Sequence, residues 1–146
     1  MGTRFMRILA IDFGETRIGL AISDPAGKLA VPLTTLRRTS DQDAIEQIGE
    51  IVEKEEVQQM VLGEPRNLDG TIGESARRVQ SFRRKLVARI PLSCALTDES
   101  LTSVEAMERL RSAGLDPKRR PERIDAVAAQ ILLEQYLATR DDPSDG

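Results

Sequence analysis

Four carboxylates in this chain stand where an ordinary soluble fold would place other residues. Asp12 closes the apolar run Phe5-Met-Arg-Ile-Leu-Ala-Ile-Asp12 and is followed at once by Phe13-Gly14. An acid at the C-terminal end of a first, central strand lies where the ligand sites of α/β folds gather. The same acid also fits a plain turn cap, and Asp12 alone does not separate the two roles. Gly14 would let a substrate approach the backbone closely. Asp98-Glu99 ends another apolar run, and alternation along a strand sends neighbouring side chains to opposite faces. Asp98 or Ser100 could simply help start the helix that follows, although Thr102 with Glu105 already forms a capping box there. Asp125 shares a helical stripe with Ala128, Ala129, Leu132 and Tyr136. An acid near a helix N-terminus is favoured by the helix dipole, but that role does not require it to face the core.

Acids from three distant segments would repel one another unless a divalent cation neutralised them. Mg²⁺ suits a few carboxylates completed by water and phosphate oxygens. Two such ions about 4 Å apart serve an in-line displacement at phosphorus. The composition narrows the alternatives. The chain has no histidine and a single cysteine, Cys94, which removes imidazole acid–base chemistry and the usual zinc ligand sets. Cys94 sits in an apolar run and reads as core packing.

The elements that must position these acids follow from local signals. Strands are expected over 5–12, 17–23, 28–36, 58–63 and 91–98. Asp24-Pro-Ala-Gly27 reads as a turn. Ser40 caps a helix over 41–55 with Ile45, Ile48, Ile51 and Val52 on one stripe. A second helix is expected to open at a capping box, Thr71 with Glu74, and to bury Ile72, Val79, Phe82, Leu86 and Val87. A third starts at Thr102 and stops at Gly114; a fourth starts near Pro121 and runs to about Leu137. The order β-β-β-α-β-α-β-α-α predicts an α/β fold with a mixed five-stranded sheet and helices on both faces.

With 146 residues, 40% hydrophobic and 31% charged, the chain fits one globular domain, expected over residues 1–138 with a disordered tail over 139–146. No apolar run approaches the roughly 20 residues that span a bilayer, and the start has no apolar signal segment. A cytoplasmic protein without a membrane partner is the expectation. Charge is unevenly spread beneath the net −3. Residues 41–56 carry seven acids against Lys54, whereas residues 77–89 carry Arg77, Arg78, Arg83, Arg84, Lys85 and Arg89 and no acid. A further basic cluster spans 118–123. Such segregation fits a face turned to phosphates and equally fits solvated helix faces. A pI near 5.1 speaks against sequence-independent coating of DNA.

Four motifs, in order and correctly spaced, resemble the YqgF/RuvX family of RNase H-like proteins over about residues 6–138. Ile11-Asp-Phe-Gly-Glu-Thr-Arg-Ile-Gly-Leu-Ala-Ile-Ser-Asp24 is similar to the family's opening Asp-x-Gly-x-(Lys/Thr)-Arg-Ile-Gly-x-Ala-x-Ser-Asp. Val61-Leu-Gly-Glu-Pro-Arg-Asn-Leu-Asp-Gly70 resembles its Gly-x-Pro-x-Asn-x-Asp-Gly loop, Asp98-Glu-Ser-Leu-Thr-Ser-Val-Glu-Ala106 its Asp-Glu-Arg-Leu-Thr-Thr-x-x-Ala, and Arg123-Ile-Asp-Ala-Val-Ala-Ala-Gln-Ile-Leu132 its final helix. Ser100 replaces the family's arginine, and Glu64 an apolar residue.

The resemblance implies an RNase H-like nuclease that uses Mg²⁺ or Mn²⁺. Asp12, Glu99 and Asp125 would be its catalytic, metal-binding acids, with Asp98 a fourth ligand or an orienting group. Arg17 and Asn67 would face the substrate, alongside Arg77 and Arg78 of the basic segment. The implied substrate is RNA, in 5′-end maturation of pre-16S rRNA on ribosomal precursor particles. The alternatives are resolution of four-way DNA junctions, which implies a homodimer, and a non-catalytic assembly factor bound through residues 77–89. Asp12-Phe-Gly-Glu-Thr16 also resembles the phosphate loop of actin-like ATPases, whose two closing domains exceed this length.

Overall fold

A computed structural model describes residues 6–65, 73–98, 102–119 and 121–140. The elements are β1 (Ile8–Phe13), β2 (Arg17–Ser23), β3 (Ala30–Arg37), α1 (Asp41–Lys54), β4 (Gln59–Glu64), α2 (Glu74–Arg89), β5 (Cys94–Asp98), α3 (Thr102–Ser112), a 3₁₀ turn (Pro117–Arg119) and α4 (Pro121–Arg140). The five strands form one sheet in the order β3-β2-β1-β4-β5. β1–β2 and β2–β3 pair antiparallel, while β1–β4 and β4–β5 pair parallel, so the mixed sheet expected from the element order is present. The parallel strands β1, β4 and β5 all end on one edge of the sheet.

Period-two alternation divides the strands between two cores. Leu9, Ile11, Ile18, Leu20, Met60, Leu62 and Cys94 face α1 and α2, meeting Ile45, Ile48, Val79, Phe82 and Leu86. Ile8, Ala10, Ala21 and Val61 face α4, meeting Ala129, Leu132, Leu133 and Leu137. α3 lies on α4 through Ala106, Ala128 and Ile131, fixed by Arg109, whose guanidinium donates to both carboxylate oxygens of Glu134 at 3.2 and 2.6 Å. Cys94 is buried as expected, and burial pushes its thiol up to about 11 against the pull of Arg83.

Several local expectations are corrected. Residues 91–93 stay outside β5, and Arg83 Nε donates to the Cys94 carbonyl at 2.7 Å where the strand begins. The second helix opens at Glu74 behind Gly73, which supplies no side-chain cap, so Glu74 begins the helix instead of closing a capping box. Thr71 and Ile72 lie outside the described residues, as does the expected tail beyond Arg140. β1 and β3 begin later than expected, at Ile8 and Ala30, and α4 runs on to Arg140, into the span expected as tail. Three local signals act as expected. The Ser40 hydroxyl accepts from the Asp43 amide at 3.1 Å, Asp24 Oδ1 accepts from the amides of Lys28 and Leu29, and Gly114 ends α3 with φ of 79°.

The approach of α4 to the sheet decides where the acids go. A Cβ at Gly19 would overlap the backbone carbonyl of Asp125 and come within 3.0 Å of the Ala126 nitrogen. A glycine between Ile18 and Leu20 therefore lets the first turns of α4 rest directly on β2. The Thr35 hydroxyl donates to the Glu122 carbonyl at 2.5 Å, and Gln130 Nε2 donates to the Ala30 carbonyl at 3.1 Å, so β3 holds the same helix at two further points. Gly19→Ala is expected to lower stability by about 1–3 kcal/mol, the range of core overpacking, as a shift in the urea midpoint at unchanged slope. A variant as stable as the parent would show that α4 is not seated on β2 in this way.

Asp41 links the β3–α1 junction to α2. Its Oδ1 accepts from Arg38 Nη2 at 2.6 Å and its Oδ2 from Lys85 Nζ at 2.9 Å. Partial burial works to raise its pKa, but the bonds from Lys85 and Arg38 outweigh that effect and hold it below the ordinary 3.8. A carboxyl depressed in the folded state contributes stability above its ordinary pKa and loses it as pH falls through the folded value. Asp41→Asn is thus expected to cost about 1 kcal/mol near neutral pH, with the difference from the parent closing as pH falls below 3.8. Denaturant titrations at neutral and acid pH test this, and a pH-independent difference would contradict it.

Candidate active site at the carboxyl edge of the sheet

Asp12 is the fifth residue of β1, half-buried, and pairs in register with Gly19. Its neighbours Ala10 and Ile8 point toward α4 and Ile11 points away, so the Asp12 side chain belongs to the α4 face. Gly19 is also the residue against which Asp125 is seated. Two acids separated by more than a hundred residues thus meet the same bare backbone position from two sides. Asp125 lies in the first turns of α4 on the stripe of Ala128, Ala129 and Leu132, all buried against the sheet or α3.

Asp125 already holds a cation. Arg17, the first residue of β2 and also on the α4 face, donates from Nε to Asp125 Oδ2 at 2.6 Å. The Asp125 side chain is 22% exposed and that of Arg17 45%. The hairpin between β1 and β2 is tight: a Cβ at Gly14 would strike the Arg17 carbonyl. The side-chain position at Gly14 is therefore taken by the chain's own turn, while the backbone of this glycine lines an open recess with Pro65, Ser75 and Val79.

Asp98 sits elsewhere. It pairs with Glu64 across β4 and β5, and the alternation through Met60 and Cys94 assigns both acids to the α2 face. Glu64 is 4% exposed, and its Oε2 accepts from Gln80 Nε2 of α2 at 2.8 Å. The departure at Glu64 is thus a hydrogen-bonded acid in the interior. Glu99, Ser100 and Asn67 lie outside the described residues. Among the described residues no three acidic or sulfur side chains form a metal-binding group.

The basic segment divides in the structure. Arg77 and Arg78 are exposed on α2. Arg78 Nη1 contacts the Glu15 carboxylate and its Nη2 donates to Glu74 Oε1 at 3.4 Å. Arg83 is tied to β5 and Lys85 to Asp41, so both are structural. Four residues near the site escaped the reading of the sequence: Phe13, Glu15, Arg38 and Ser81. They line a cleft of about 430 Å³ with Arg78. Phe13 and Glu15, both inside the Asp12–Thr16 motif, carried a signal that could have marked them; Arg38 and Ser81 carried none.

Comparison with known proteins places the family and the fold. The family model described as RuvX, Holliday junction resolvase, matches residues 6–139. A relative from Maridesulfovibrio salexigens is 41% identical over 133 residues, covering 91% of this chain and 98% of its own. One from Clostridium acetobutylicum is 40% identical over 132 residues, covering 90% and 98%. Both bear the name "Putative pre-16S rRNA nuclease". Thermus thermophilus RuvC in complex with a Holliday junction substrate superposes with a TM-score of 0.58 at 14% identity, covering 92% of this chain and 95% of its own. The fowlpox virus resolvase in complex with Holliday junction DNA does so with 0.59 at 8% identity, covering 94% and 100%. At such identities the two structures speak for the fold, which is the RNase H-like α/β fold expected from the motifs. A family match over most of the length, with relatives near 40% identity over 90% and 91% of the chain, shows that this protein belongs to the RuvX family.

Proposed function

We propose that this protein is a metal-dependent nuclease that hydrolyses phosphodiester bonds of RNA in the 5′-end maturation of pre-16S rRNA. The observation that carries the reading is Asp125 seated against Gly19, the register partner of Asp12, with a cation on its carboxylate. The names of the relatives near 40% identity support the substrate.

The donor set fits a hard divalent ion. Asp12 and Asp125 offer carboxylate oxygens from one face of the sheet, and the Arg17 guanidinium stands where a positive charge is already accepted. Asp12, Asp125 and Glu99 would hold Mg²⁺ or Mn²⁺, with Asp98 orienting the end of β5 from the α2 side beside Glu64. When bound, the ion supplies charge neutralisation at the phosphate and a more acidic water. The chain's own residues do the rest. The β1 end and the first turns of α4 would present their carboxylates on either side of Gly19, and Arg17, once released by Asp125, would turn its fork to a phosphate oxygen. Arg77, Arg78 and Asn67 would guide the flanking strand.

Asp12→Asn and Asp125→Asn are each expected to lower Mg²⁺- or Mn²⁺-dependent cleavage of precursor rRNA by more than about a hundredfold, beyond the usual effect of altering a ligand's support, with circular dichroism unchanged. Undiminished cleavage by both variants would overturn the reading. The family model's description favours a second substrate, the four-way DNA junction, and the same preparations assayed on a junction decide between them.

Arg17 and the ion compete for Asp125, so removing the arginine charge frees a ligand. Arg17→Gln is expected to bind Mn²⁺ about threefold to tenfold more tightly by titration calorimetry, the range spanned by a partly exposed ion pair and a charge-assisted bond. An unchanged or weaker affinity would show that Arg17 does not stand in the ion's place.

A further inference from the structure

The cleft lined by Phe13, Glu15, Arg38, Arg78 and Ser81 lies across the sheet from the acids and one residue from Asp12. Phe13 belongs to the α2 face, with its ring 4.4 Å from that of Phe82, and the Arg38 guanidinium carbon stands 5.5 Å above it. Arg38 is held from three directions: its Nε and Nη2 donate to Asp41 Oδ1 at 2.9 and 2.6 Å, and its Nη1 donates to the Glu15 carbonyl at 3.2 Å. A guanidinium bound in this way still has N–H groups to offer. Arg78 closes the other wall from α2, and Ser81, one turn further along, adds a hydroxyl. A second recess of about 280 Å³, lined by Gly14, Pro65, Ser75 and Val79, shares Phe13, Glu15 and Arg78 with it.

Glu15 is the anomaly. Its side chain is 75% exposed, yet its carboxylate is laid on Arg78, across the mouth of a cleft whose other charged wall is Arg38. An exposed pair of this kind is worth between nothing and about 1 kcal/mol, so an anion offering more oxygens displaces it readily. We propose that this cleft is a phosphate subsite for the RNA strand flanking the scissile bond, with the Glu15 carboxylate as its placeholder in the free protein. This rests on the reading of the protein as an RNA nuclease and adds where the strand goes. From the acids on the α4 side it crosses the carboxyl edge of the sheet, and a backbone phosphate takes the place of Glu15 between Arg78 and Arg38. The rings of Phe13 and Phe82 form the floor that holds Arg38 at its height.

The test is binding of a fluorescein-labelled single-stranded oligouridylate to the full chain in EDTA, so that cleavage plays no part. Glu15→Gln is expected to bind about fivefold more tightly at low salt, the upper worth of an exposed pair. Arg78→Gln is expected to bind about fivefold more weakly, with the slope of log K on log salt reduced by about 0.7, as for one phosphate contact on a single strand. In the double variant the gain from Glu15→Gln should vanish, because no arginine is left to free. A gain of equal size with and without Arg78 would mean simple charge repulsion and would overturn the subsite, as would no gain at all. Cleavage that survives Asp12→Asn would instead defeat the nuclease reading while this binding cycle stood, and absence of RNA binding by the parent chain would defeat both.

Discussion

The close packing of α4 on β2 governs most of what this protein presents at its surface. A helix crossing a sheet normally stands about 10 Å away, separated by side chains from both partners. Here β2 gives up its side chain at Gly19, and the backbone of Asp125 enters the gap. The small residue Ala129 keeps the helix low on the sheet for another turn. Asp12 lies in register with that glycine, so one missing side chain seats the Asp125 backbone against the strand position opposite Asp12. The acid on β1 and the acid on α4 are a consequence of the same contact that builds the second core.

Charge at the carboxyl edge is organised by the short hairpin between β1 and β2. Its two arms reach opposite faces: Arg17 pairs with Asp125 of α4, while Glu15 pairs with Arg78 of α2. Each pair joins the hairpin to a helix, and each neutralises a group that a polyanion and its counter-ion would want. Neither pair is buried, so each is held loosely, and exchange for a stronger partner disturbs no core. The rigid charges lie behind them. Asp41 is bonded to Arg38 and Lys85, and Arg83 is spent on the start of β5. The basic run on α2 is therefore part scaffold and part surface, which its charge count alone conceals.

Much of this was legible in the residues. The three antiparallel strands, the two parallel additions and the helices between them follow from periodicity and turn chemistry, and Asp24, Ser40 and Gly114 act as their types require. Asp125 was readable because an acid on a stripe of alanines conflicts with a purely solvated role. Gly19 also carried a signal, since a glycine inside a strand marks a close backbone approach, but the identity of the approaching backbone depends on topology. The cleft of Phe13 and Arg38 was illegible for a related reason. It is made by two residues just after Asp12, one after β3 and two on α2, and no spacing along the chain brings these three segments together. The start of α2 failed because Thr71 and Glu74 match a capping box in type and spacing, whereas the helix takes its cap from Gly73.

Asp12 and Asp125 lie on the α4 face while the cleft of Arg38 and Arg78 opens on the α2 face, and that division has a physical reason of its own. Carboxylates that gather a divalent ion must stand close, and an arginine kept permanently among them would compete with that ion. Arginines that grip phosphates must be near the reacting bond, and a carboxylate fixed beside them needs a cation of its own, as Asp41 has in Lys85. A sheet edge resolves the conflict, because alternation sends consecutive residues to opposite sides. Asp12 turns to α4 and Phe13 turns to α2, so the acid and the floor of the basic cleft are neighbours in the chain with the sheet between them. What remains is a pair of exposed contacts, one per side, that a substrate and its ion can each take over without unfolding anything.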